Sequence, residues 1–142
     1  MIPRRKAILC IDDHWNSLIG RKALLEQNGY EVWEATSGDD GLKLFLLQSF
    51  DAVILDYQMP GMNGDVVAAQ MKRLRPQVPI LLLSAYGPLP KKKLRAVDLF
   101  VHKSESFSCV LVALQDLLES RPKRFFHRWL EHWRSRNQVV MQ

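Results

Sequence analysis

Residues 51–64 read DAVILDYQMPGMNG, and this stretch decides the fold. It contains the almost continuously apolar run Ala52–Leu55. Strands that read this way are usually covered on both faces, as in a parallel sheet. The run stops at Asp56, and Pro60-Gly61 then signals a turn. The stretch therefore predicts a buried strand that delivers a carboxylate to a loop.

Four more apolar runs lie outward from this stretch, and they alternate with helical patterns. The runs are Ala7–Ile11, Val32–Ala35, Pro79–Leu83 and Leu99–His102. Helices are predicted from about Trp15 to Asn28, after the N-cap Ser37, after Asn63, weakly over Lys91–Val97, and after Ser106. Five βα units in a row predict an α/β fold with right-handed crossovers.

The apolar spacing in the helices also predicts which side chains face the core. These are Leu18, Ile19, Ala23 and Leu24 in the first helix, Leu42, Phe45 and Leu46 in the second, Val66, Val67 and Met71 in the third, and Val110, Leu111, Leu114, Leu117 and Leu118 in the fifth.

Polar side chains follow four of the predicted strands. They are Asp12 and Asp13 after the first strand, Asp56 after the third, Ser84 after the fourth and Lys103 after the fifth. In an open parallel sheet these positions meet at one edge. Three carboxylates at close range need a cation, and all-oxygen ligands suit Mg²⁺.

Such a site is suited to hold a phosphoryl group. Asp56 as a nucleophile would form an aspartyl-phosphate. Lys103 and Ser84 could hold the remaining phosphoryl oxygens, by charge and by a hydrogen bond.

The chain resembles the receiver domain of response regulators in two-component signalling, of the chemotaxis-type single-domain kind, over about Lys6 to Leu118. The matching residues are Asp12-Asp13, the loop from Asp56 to Gly64, Ser84-Ala85 and Phe100-x-x-Lys103. The resemblance implies a flavodoxin-like, doubly wound, five-stranded parallel sheet in the order 2-1-3-4-5.

The resemblance also implies roles for these residues. Asp56 would accept a phosphoryl group from a phosphohistidine on a sensor histidine kinase or a phosphotransfer protein. Asp13, Asp56 and the backbone carbonyl of Gln58 would bind Mg²⁺, with Asp12 helping through water.

Output is implied as well. Ser84 would move toward the phosphate and Phe100 would follow it inward, which changes a surface that an unknown downstream protein reads. The chain would assist its own phosphorylation and dephosphorylation without being an enzyme in the usual sense. A phosphatase is disfavoured, since Gln58 stands where such enzymes commonly carry an acid/base aspartate.

Two departures from the family pattern keep an alternative open. Ser104 follows Lys103 where the family usually has a proline after a cis bond, and the 19 positions from Ser84 to Lys103 are fewer than usual. A shortened fourth helix is expected. A phosphorylation-independent binding module on the same fold is therefore a rival hypothesis. His14, next to the acidic pair, could sense pH or touch the phosphoryl site, but a surface histidine without a function is the favoured interpretation.

The basic charge of the chain is concentrated in its last part. Fourteen basic residues face thirteen acidic ones up to Leu118, whereas six face two from Glu119 onward. We expect a receiver domain over residues 1–120 and a basic, aromatic helical extension over residues 121–142. The extension is too short for a DNA-binding domain.

The helix expected in this extension starts near Pro122 and carries an apolar stripe of Phe126, Trp129, Leu130 and Trp133. Three interpretations stay open: packing on the receiver or self-association, docking to a protein partner, and contact with an anionic membrane. Contact with nucleic acid is the weakest alternative, because no recognised motif supports it.

The composition fits one cytoplasmic domain of 142 residues. No apolar run is long enough to span a membrane, and the N-terminus lacks a cleavage site for a leader. Cys10 and Cys109 are expected to be reduced core residues.

Overall fold

A computed structural model describes residues 4–119 of the chain. Five parallel strands form one sheet in the order β2-β1-β3-β4-β5. They are β1 (Ala7–Ile11), β2 (Glu31–Ala35), β3 (Ala52–Asp56), β4 (Ile80–Ser84) and β5 (Leu99–His102). Every residue of the three central strands β1, β3 and β4 is buried. This confirms the predicted α/β fold and its strand order.

Four α-helices connect and follow the strands. They are α1 (Trp15–Gln27), α2 (Gly38–Leu47), α3 (Gly64–Leu74) and α4 (Phe107–Leu118). Ser37 caps α2 as predicted, because its hydroxyl accepts a hydrogen bond from the amide of Asp40 at 3.1 Å.

The predicted inward faces of the first three helices are wrong at three positions in α1 and at one position each in α2 and α3. Ile19, Ala23 and Leu24 are exposed on α1, and so are Leu46 on α2 and Val66 on α3. The buried stripes are narrower than predicted: α1 buries Leu18 and Leu25, which lie two turns apart, and α2 buries Phe45 with two glycines.

The glycines explain why α2 presents so narrow a face. A Cβ on Gly41 would collide with the side chain of Ile11 in β1, and one on Gly38 would lie 2.7 Å from Val67 of α3. The backbone of α2 therefore packs directly against the sheet. With the helix in this orientation, Leu46 faces solvent.

The predicted fourth helix over Lys91–Val97 is also wrong. The connection from β4 to β5 contains a single 3₁₀ turn, Lys91–Lys93. Prolines at 88 and 90 supply no amide hydrogen for a helical turn. Instead, Leu89, Leu94 and Val97 are buried and anchor an irregular segment against the sheet.

In the connection from β4 to β5, the peptide bond Gly87–Pro88 is cis. The peptide bond Lys103–Ser104, which follows β5, is trans. Lys93 Nζ lies 3.2 Å from Asp65 Oδ2, which ties the 3₁₀ turn to the start of α3.

The extension predicted over residues 121–142, with its helix and apolar stripe, lies outside the described residues. Within residues 4–119, no helix is both long and apolar enough to cross a membrane.

Candidate functional site

Asp12, Asp56, Ser84 and Lys103 lie at the carboxyl edge of the sheet because the strands are parallel and in register. Asp12 directly follows β1, Asp56 and Ser84 are the last residues of β3 and β4, and Lys103 directly follows β5. The register pairs Asp56 with Leu83 and Ser84 with His102, so these strands end together.

Three carboxylates and one imidazole form a cluster at this edge. One carboxylate oxygen each of Asp12, Asp13 and Asp56 and a ring nitrogen of His14 all lie within 4.8 Å of one another. Asp12 is fully buried and Asp56 is 3% exposed. So close a group of buried anions requires positive charge nearby.

Two basic side chains supply that charge. Lys103 Nζ lies 2.8 Å from Asp56 Oδ1 and 3.4 Å from Asp12 Oδ2. Arg21 on α1 reaches Asp12 Oδ2 at 3.5 Å. Lys103 thus bridges two carboxylates, and Arg21 supports the deeper one from the side of α1.

The balance of these interactions raises the pKa of the Asp56 carboxyl above its ordinary value. Burial is the main cause, and the negative charges of Asp12 and Asp13 act in the same direction. The hydrogen bond and charge of Lys103 lower the pKa but do not cancel the effect of burial. Keeping Asp56 ionised in the folded protein therefore costs free energy, and a further cation at the cluster would lower that cost.

The carboxylates of Asp13 and Asp56 open onto a cavity of about 560 Å³. Its lining consists of Asp13, His14, Asp56, Gln58, Met59, Pro60, Asn63, Ala85, Tyr86 and Lys103. Asp12 does not line it. Asp56 therefore lies in the wall of an open cavity, and Asp12 lies deeper in the protein, behind that wall.

Two glycines shape the loop after β3. Gly61 has a φ of +83°, which favours glycine. A Cβ on Gly64 would collide with the backbone oxygen of Asp56. The amide of Gly64 donates to the Tyr57 carbonyl at 2.6 Å, so α3 begins directly against the end of β3.

Ser84 lies at the same edge, but its hydroxyl is engaged within its own loop. It donates to the Tyr86 carbonyl at 2.7 Å and accepts from the Tyr86 amide at 2.9 Å. Ser84 is 1% exposed, and the neighbouring Ala85 lines the cavity in its place. Phe100 is buried in the core next to Gly87.

Two residues at or beside the site, Arg21 and His102, were missed by the sequence interpretation, and a third, His14, was considered but not favoured. Nothing in the sequence indicated a role for Arg21 at the site, because it lies within a helix and far from Asp56 in the chain. His14 was interpreted as a surface histidine, and it is 70% exposed, yet it lines the cavity. His102 Nε2 lies 3.0 Å from the Ala85 carbonyl, and its Nδ1 accepts from the Ser104 amide at 3.1 Å.

Comparisons with known proteins agree on one family. Residues 8–107 match the family described as the response regulator receiver domain. The chain is 28% identical over 138 residues to the transcriptional regulatory protein GlrR of Escherichia coli strain K12. That alignment covers 95% of this chain and 31% of GlrR, so the chain spans about a third of this relative.

Solved structures of response regulators are also similar to this chain. The response regulator TrrA of Thermotoga maritima, in complex with Mg²⁺-BeF, is 34% identical with a TM-score of 0.75, covering 79% of this chain and 98% of TrrA. A complex of the histidine kinase ThkA with TrrA matches at 35% identity and a TM-score of 0.74, covering 80% of this chain and 98% of the matched chain.

The chain is a doubly wound α/β domain with an acidic cavity at the carboxyl edge of its sheet. The chain belongs to the response regulator receiver domain family, which acts in two-component signal transduction.

Proposed function

We propose that this chain is a phosphorylation-dependent signalling switch that accepts a phosphoryl group on Asp56 from a histidine kinase or a phosphotransfer protein. The observation that carries the proposal is the Asp56 carboxylate itself. It is buried in the wall of an open cavity and held by Lys103 at 2.8 Å, beside two further carboxylates.

In the proposed reaction, a carboxylate oxygen of Asp56 attacks the phosphorus of a phosphohistidine. A P–O bond forms while the P–N bond to the imidazole breaks, and the departing imidazole keeps the electron pair and takes up a proton. Lys103 holds Oδ1, which orients the carboxylate and leaves the second oxygen for the attack. As charge builds up on the phosphoryl oxygens, the Lys103 ammonium stabilises it.

The residues present fit the Mg²⁺ that the family implies. Asp13 Oδ1 is inaccessible to solvent and has no hydrogen-bond partner among residues 4–119, as expected of an atom placed to bind a cation. We assign Asp13, Asp56 and the Gln58 carbonyl as ligands, with Asp12 acting through water. When bound, Mg²⁺ would neutralise the carboxylates and orient the phosphoryl oxygens.

The proposed switch uses Ser84, Phe100 and the connection from β4 to β5. Ser84 would exchange its hydrogen bonds with Tyr86 for one to a phosphoryl oxygen. Its loop is joined to β5 by the contact between His102 and the Ala85 carbonyl, so movement of one affects the other. An unidentified downstream protein would read the altered surface.

A second candidate function is a binding module that works without phosphorylation. It is favoured by the absence of an α-helix between β4 and β5 and by the engaged hydroxyl of Ser84. Both features concern transmission of the signal and leave the acidic cavity intact, so we place this candidate second.

The cellular setting is also part of the proposal. Both cysteines are free, and burial raises the pKa of Cys10 to about 12, so this thiol stays protonated and inert. Free thiols suit a reducing compartment, and we propose that the protein acts in the cytoplasm.

The experiment is phosphorylation by acetyl phosphate and Mg²⁺, with intact mass as the readout. The full chain should gain one phosphoryl group only when Mg²⁺ is present. D56N should gain none, whereas D39N, which changes an exposed aspartate at the start of α2, should behave like the full chain. If the adduct is absent with both acetyl phosphate and a cognate kinase, the second candidate replaces the first.

A further inference from the structure

His14 lies at the acidic cluster in a position that helix capping does not explain. It is the N-cap residue of α1, but its side chain makes no capping hydrogen bond. The ring turns toward the carboxylates instead, with Nδ1 3.2 Å from Asp13 Oδ1 and 3.5 Å from Asp12 Oδ1. It also lines the open cavity beside Asp56.

The imidazole nitrogen and the Asp13 oxygen face each other without a hydrogen bond between them. Within the part of the chain that the structure describes, Asp13 Oδ1 has no hydrogen-bond partner, although Nδ1 is only 3.2 Å away. Two donor atoms at this separation fit neighbouring ligands of one ion. With metal–ligand bonds of about 2.1 Å in octahedral geometry, neighbouring ligands lie about 3.0 Å apart.

We propose that His14 Nδ1 is a ligand of the metal site, together with Asp13 and Asp56, and that the site therefore selects divalent transition metals over Mg²⁺. The inference rests on the metal site of the proposed function and deepens it. Mg²⁺ favours oxygen ligands, whereas imidazole nitrogen suits ions such as Co²⁺, Ni²⁺ and Zn²⁺.

The exposure of His14 is compatible with this role. The ring is 70% exposed, and the cavity that it lines is open to solvent. Asp12, by contrast, is fully buried, and Lys103 and Arg21 already contact its Oδ2. The free side of the cluster is the side formed by Asp13, His14 and Asp56.

The test measures binding of Co²⁺ and of Mg²⁺ to the full chain by calorimetry at one fixed pH. We expect His14→Gln and His14→Asn to lower the affinity for Co²⁺ at least tenfold and that for Mg²⁺ less than threefold. Two variants are used because asparagine is also a good N-cap, so a folding defect in one does not remove the test. Asn16→Gln, at an exposed position of α1, serves as the matched control.

A second readout is spectroscopic. With Mn²⁺ bound, electron spin-echo modulation from a coordinated nitrogen should be present in the full chain and in Asn16→Gln, and absent from both His14 variants. An unchanged ratio of Co²⁺ to Mg²⁺ affinity in the variants, or a nitrogen signal that persists without His14, overturns the inference.

Asp13→Asn separates this inference from the proposed function. If it abolishes binding of both ions while the His14 variants change neither, the metal site stands and only the role of His14 is refuted. If Asp13→Asn leaves both affinities unchanged, the metal site of the proposed function fails together with the inference.

Discussion

Lys103 Nζ lies 2.8 Å from Asp56 Oδ1, although Lys103 follows β5 and Asp56 ends β3, and these strands are not neighbours in the sheet. β4 lies between β3 and β5, so the lysine reaches across the end of β4 to the carboxylate. In doing so it also approaches Asp12, at 3.4 Å. One cation thus compensates two buried carboxylates.

Substitution of this lysine should slow phosphorylation. We expect Lys103→Met to lower the rate of phosphorylation by acetyl phosphate by about 10²- to 10³-fold, since it removes a donor that stabilises developing charge. The measurement is the initial rate of adduct formation by intact mass. Lys92→Met, in the exposed 3₁₀ turn, should keep the original rate. Equal rates in the two variants would contradict the role of Lys103.

The raised pKa of Asp56 leads to a pH dependence of stability. Because burial raises this pKa above its ordinary value, the folded state binds more protons than the unfolded state in the interval between the two values. Ionised Asp56 therefore opposes folding at neutral pH, and the cost disappears as the pH falls below the ordinary carboxyl value.

Asp56→Asn should accordingly be more stable than the unchanged chain in metal-free buffer at pH 7. The gain in the free energy of unfolding, measured by urea denaturation, should shrink as the pH is lowered toward 4. Asp39→Asn serves as the control, since its aspartate is exposed. A gain that is independent of pH would show that charge burial is not its cause.

Mg²⁺ should stabilise the folded protein through the acidic cluster. Saturation at about 100 times the dissociation constant adds about 2.7 kcal/mol to the free energy of unfolding. The shift in the thermal midpoint on adding Mg²⁺, compared with EDTA, should be present in the unchanged chain and in Asp39→Asn and lost in Asp13→Asn. An equal shift in Asp13→Asn would place the bound ion elsewhere.

Gly64→Ala should destabilise the protein by about 1–3 kcal/mol, the usual cost of overpacking. The new methyl group would collide with the backbone oxygen of Asp56 and push α3 away from the end of β3. Gly20→Ala is the matched control, because nothing lies within 4 Å of its added Cβ in α1. This control should gain about 0.5–1 kcal/mol, as is usual for alanine in a helix. A loss of similar size in both variants would contradict the argument from close packing.

Much of the fold could be predicted from the sequence because its signals are local. Ala7–Ile11 and Leu99–His102 are strands with the predicted bounds. β2 and β3 differ from the predicted runs by one residue at one end, and β4 differs by one residue at each end. Ser37 is the N-cap of α2, as its type and position indicated. Short apolar runs, caps and turns depend on residues that are close in the chain, so they can be recognised in the sequence alone.

The helical faces were less predictable. Apolar spacing marked Leu18 and Phe45 correctly but also Ile19 and Leu46, which are exposed. How far a helix is rotated against the sheet depends on what the sheet presents, such as Ile11 beneath Gly41. That information lies in another element, and hydrophobic periodicity does not contain it.

By itself, the sequence determined the α/β class and which residues follow each strand, because strand ends and polar loop residues are adjacent in the chain. Only the tertiary structure decided that Arg21 pairs with Asp12, that His14 turns toward Asp13, and that the Ser84 hydroxyl bonds within its own loop. These contacts depend on how side chains from separate elements are oriented once the crossovers bring them together, and sequence spacing carries no information on that orientation.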